Sequence, residues 1–61
     1  MRTYYDVFKL AVMSVRGARS ASSQQVAREL WKIAQEYQAE AAQLDSDRVP
    51  DIGDPPQGVE G

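Results

Sequence analysis

The chain contains no cysteine and no histidine. Without cysteine there is no disulfide, and the redox compartment is left open. Without either residue a structural zinc site loses its usual ligands, and no metal or other cofactor is expected. The missing histidine also removes the common base for activating a serine. Lys9 and Lys32 remain as bases, and nothing in the pattern buries them. Glu36 and Glu40 read as a solvated i, i+4 face rather than an acid/base pair. No glycine-rich phosphate cradle is present, since Val15 to Ser20 holds a single glycine. These absences point away from an enzyme.

Long apolar runs are missing too. The longest rich stretch, VFKLAVMSV at residues 7–15, is interrupted by Lys9. A membrane-spanning helix needs about 20 apolar residues. A secretory leader needs an uninterrupted apolar centre and a small-x-small cleavage site. Asp6 and Lys9 break the first, and Arg19 sits within the small-residue cluster that would supply the second. A cytoplasmic setting is the expectation.

Periodicity supplies the fold. At 100° per residue, Tyr4, Tyr5, Val7, Phe8, Ala11, Val12, Val15 and Ala18 gather on one face. This predicts an amphipathic helix over about 3–16. Gly17 fits a helix stop, with Arg16 and Arg19 at the end the dipole favours for cations. Ser22 and Gln25 have the spacing of a capping box, with Ser20 and Ser23 as alternative caps. The segment 23–44 has neither glycine nor proline. Val26, Leu30, Ile33, Tyr37, Ala41 and Leu44 form one stripe along it, which predicts a second helix.

Beyond Leu44 the composition changes. Residues 45–61 hold all three prolines and three of the four glycines, and are acidic. A segment of this kind buries too little apolar area to offset its ordering entropy. The expected organisation is a helical hairpin over 1–45 and a disordered tail over 46–61.

The five residues 17–21 between the helices imply an antiparallel pair. A chain of 61 residues buries only about 60% of its unfolded surface. Such chains commonly rely on a disulfide, a metal or a partner chain. With the first two excluded, a partner remains, and the expected assembly is a four-helix bundle dimer. Tyr4, Phe8, Ala11, Val12 and Val15 would pack on Val26, Leu30, Ile33, Tyr37 and Leu44. Leu10, Met13 and Trp31 fall off those faces and would line the outer seam. The expected interface is therefore Leu10, Met13, Trp31, Tyr4, Phe8 and Tyr37. Whether helix 1 pairs with its own helix 2 or with another chain's stays open, since the connection could open into a swapped dimer.

Charge is divided along the chain. Residues 1–19 carry four basic residues against Asp6 alone, a net of +3, and residues 20–61 carry a net of −5. Arg16 and Arg19, ahead of a helix start, are candidate anion contacts. The segment Gln24–Leu30 is similar to the first helix of a helix-turn-helix unit, but it continues without the required turn.

Leu30-x-x-Ile33-Ala34-x-x-Tyr37 resembles the tetratricopeptide helix pattern, in which Ala34 would be the small position allowing close approach. Solenoids need about three repeats, and no second copy exists here. Val26 to Tyr37, with Ala41-Ala42-Gln43-Leu44, resembles the second helix of short, uncharacterised bacterial helical-hairpin proteins. That likeness implies an all-helical hairpin with a protein-binding role and no activity. The functional expectation is a non-catalytic protein–protein interaction module that self-associates or docks on a larger protein. The alternative is a peripheral binder of an anionic membrane or nucleic acid, using the basic first helix.

Overall fold

The computed structural model describes residues 2–59. Two helices, α1 (Tyr4–Ser20) and α2 (Gln24–Leu44), pack against each other, and no strand occurs among the described residues. Helix α1 opens with a reciprocal cap. The Asp6 backbone N–H donates to Thr3 Oγ1, and the Thr3 N–H donates to Asp6 Oδ2, each at 3.2 Å. Two of the donors that a helix start leaves unpaired are thereby satisfied.

Helix α1 does not stop at Gly17. It runs on to Ser20, and the connection shortens to Ala21–Ser23. Gly17 has a different use: a Cβ there would lie 3.1 Å from Leu30 Cδ1. The missing side chain admits Leu30 of α2, so the glycine marks a close helix approach. Of the three candidate caps for α2, Ser23 acts, its Oγ accepting from the Val26 N–H at 3.2 Å.

The rotation of α2 also differs from the sequence expectation. Its buried residues are Ala27, Trp31, Ala34 and Ala41, while Val26, Ile33 and Leu44 are exposed. At 100° per residue the inward face is turned roughly 80° from the stripe of large aliphatics. The reason is a small-residue repeat. Ala27, Ala34 and Ala41 are seven apart, as are Ala11 and Ala18 of α1, and all five are buried. A seven-residue period keeps one line of a helix against its neighbour. Alanine along that line permits the short end of the usual 8–10 Å interaxial range. Val7 is fully buried beside this seam's start in α1.

After α2 the chain turns at Asp45. Its carboxylate accepts from the Asp47 N–H at 3.1 Å and from Arg48 Nε at 2.6 Å. The following segment has no helix or strand, as its composition suggests, yet it does not leave the hairpin. It runs back along α2, burying Pro50, Ile52 and Val59. Ile52 and Val59 join Ala11, Ala18, Ala27, Trp31 and Ala34 in the core. The expectation of a disordered tail rested on its scarcity of apolar residues. What offsets that scarcity is placement, since two apolar anchors meet a groove, and proline lowers the entropy lost on ordering. The last two residues of the expected tail, 60 and 61, lie outside the described residues.

Candidate functional site

The molecule spans 32 × 18 × 12 Å, so a layer barely one helix thick presents two broad faces. The tail occupies one. Three hairpin side chains hold it by its carbonyl groups. Gln38 Nε2 donates to the Pro50 carbonyl at 2.7 Å, Arg19 Nη2 to that of Asp54 at 3.0 Å, and Gln24 Nε2 to that of Gly58 at 3.4 Å. Gly58 has φ +84°, and a Cβ on it would collide with the Gln24 amide. The positive φ favours glycine there, and any side chain would also have to push the Gln24 amide off its carbonyl.

Trp31 lies in this groove, 4% exposed, and its Nε1–H has no acceptor among the described residues. A buried donor left unpaired costs about 1–3 kcal/mol. Beside Ile52 an open depression of about 220 Å³ remains, lined by Val12, Val15, Arg16, Arg19, Asp51 and Ile52. This depression lies between α1 and the tail, at the edge of the groove.

Among the described residues no chain segment crosses the opposite face. The approach of Leu30 to Gly17 fixes which sides of the two helices adjoin there. The wheel puts Leu10 and Met13 of α1 on that side, and Val26, Leu30, Ile33, Tyr37 and Leu44 of α2. Met13 is 65% exposed, Leu44 49%, Val26 46% and Ile33 39%, while Leu10, Leu30 and Tyr37 are half-buried. Charged groups border the patch. Arg2 Nε lies 3.5 Å from Glu40 Oε2, and its guanidinium sits 5.7 Å from the Tyr37 ring centre. Arg2, Asp6 and Lys9 line a shallow depression with Leu10 and Met13.

The six residues expected at one interface thus divide among three places. Leu10, Met13 and Tyr37 belong to the open face. Trp31 is not on an outer seam, because the chain's own tail covers it. Tyr4 and Phe8 stack, ring centres 6.1 Å apart, at the start of α1. The Arg48 guanidinium lies 4.4 Å from the Tyr4 ring centre, favourable for a cation over an aromatic face. Of the two candidate anion contacts, Arg19 is engaged by the tail, and Arg16 stands exposed at the groove's rim. Both lie within the last two turns of α1 rather than in the connection that leads into α2.

Val26, Ile33 and Leu44 are the open-face residues that sequence reasoning assigned to the core. The alanines at seven-residue spacing carried the correcting signal. Among the described residues no group of His, Cys, Asp and Glu could hold a metal ion, and no helix is long and apolar enough to cross a membrane. No family model, curated protein or solved structure matches the chain.

Proposed function

We propose that the chain is a small, non-catalytic protein–protein interaction module that pairs with a second copy through its open face, forming a four-helix bundle. The observation that carries this reading is the exposure of Met13, Val26, Ile33 and Leu44 on the face opposite the tail. Scattered apolar residues on a surface need no explanation. Four large apolar side chains exposed on one face of two helices, with Arg2, Asp6 and Lys9 beside them, have the make-up of an interface. A second copy is favoured as the occupant by charge. Residues 4–20 carry a net of +2 and residues 24–44 a net of −1, so a two-fold pairing that lays α1 of one copy over α2 of the other sets helices of opposite net charge together twice. Such a pairing is closed and self-complementary.

Sedimentation equilibrium over micromolar to millimolar concentrations tests the reading. A dimer whose dissociation weakens the helical signal supports it. A folded monomer throughout the range rejects it.

The second reading has its own observation. Tyr5 is 63% exposed, with the Lys9 amine 5.6 Å from its ring centre, on the outward side of α1. A basic and aromatic strip suits an anionic membrane or nucleic acid. Binding of that kind weakens steeply with salt. Absence of binding to anionic vesicles or oligonucleotides at low salt discards it.

A further inference from the structure

From the tail side of the hairpin we infer that the Trp31 groove is a peptide-binding site, and that residues 50–59 are its built-in, displaceable occupant. The partner is an extended, proline-containing acidic segment of another protein, with two apolar anchors seven residues apart. This inference concerns the face opposite the proposed dimer contact and does not depend on it.

The tail is held as a bound peptide is held. Gln38, Arg19 and Gln24 each grip a carbonyl, at residues 50, 54 and 58, four apart along the segment. Ile52 and Val59 supply the anchors. Arg16 and Arg19 at the rim match the acidic residues of the segment, with Asp51 beside them. Proline suits such an occupant, because it offers no N–H to desolvate and its extended form is preset.

Two features leave room for a segment that fits better. The Trp31 Nε1–H is buried and has no acceptor among the described residues. The depression of about 220 Å³ beside Ile52 is left empty of side chain. A segment with a larger anchor at the Ile52 position and a carbonyl over the indole satisfies both. The tail, tethered to α2, enjoys an effective concentration on the order of millimolar. A partner must therefore bind better than the tail, and these two unmet features supply the means. The tail of a second copy has the same sequence and lacks that advantage.

Trp31 is the only tryptophan, so its fluorescence and its single indole N–H resonance report on the groove alone. The experiment uses the full-length chain and two synthetic peptides, one with the sequence of residues 45–61 and one in which Ile52 is replaced by Phe. In the full chain carrying Ile52→Ser and Val59→Ser, Trp31 emission should shift to the red. The native-sequence peptide should reverse the shift saturably, and the Phe peptide should bind about tenfold more tightly. Should the double variant lose its helical signal, the wild-type chain decides. There the Phe peptide should displace the tail and move the indole proton downfield as it gains an acceptor. No saturable change in either protein overturns the inference. A wild-type dimer held by exchanged tails, seen as a loss of dimer in the double variant, gives the groove to a second copy and overturns it as well.

Discussion

Thr3 and Asp6 show what single side chains do for a chain this small. Replacing Thr3 with Ala should lower stability by about 1 kcal/mol, measured by urea denaturation. The Thr3 backbone N–H holds the Asp6 carboxyl below its ordinary value of 3.8, and the Arg48 guanidinium does the same for Asp45. A carboxyl depressed in the folded state binds fewer protons than in the unfolded chain, so stability rises with pH through that range. Both contributions should be complete above about pH 5 and lost as pH falls below about 4. Asp6→Asn should remove its share of that dependence, read as a flatter helicity curve in acid. Gly17 acts through absence. Alanine there would gain helix propensity but press Leu30, whose side chain can turn aside. Valine cannot be accommodated so simply, and Gly17→Val should destabilise by about 1–3 kcal/mol.

For the helices, the existence and extent of α2 were legible in its uninterrupted run of helix formers, and its rotation was not. Hydrophobic scale values favour Val26, Ile33 and Leu44 for the inside. Helix contact instead selects residues that allow approach, and the alanines at 27, 34 and 41 do so. The end of α1 was misread for a related reason. Glycine serves both as a helix stop and as a gap for a neighbour, and only the partner helix distinguishes the two. The tail's docking was hidden because Ile52 and Val59 look isolated until the groove that receives them exists. The capping box at Thr3 could have been found, since Thr-x-x-Asp precedes the apolar face. A paired substitution tests the rotation of α2. Ala34→Leu should cost about 1–3 kcal/mol by overpacking the helix contact. Ile33→Ala should barely change the stability of an isolated hairpin, while weakening self-association. The reverse order would restore the aliphatic stripe to the core.

On the scale of the whole molecule, two helices and a returning, irregular tail make a body with one face closed and one open. The tail closes the groove it can reach, and the chain has no further segment among the described residues to cover the other side. Dimer formation would complete the enclosure that two helices cannot provide alone, and would explain why the large aliphatics of α2 face outward. Because the proposed contact joins a basic helix to an acidic one, association should weaken as salt screens the exposed charges, with the apolar contact persisting. Isotope-filtered NMR on a mixture of labelled and unlabelled chains decides whether the open face pairs with itself, since it records only contacts between copies. A paired open face gives intermolecular cross-peaks among the methyl groups of Leu10, Met13, Leu30 and Ile33, and none to Trp31. Intermolecular cross-peaks absent at millimolar concentration, or confined to Trp31, Ile52 and Val59, would contradict it.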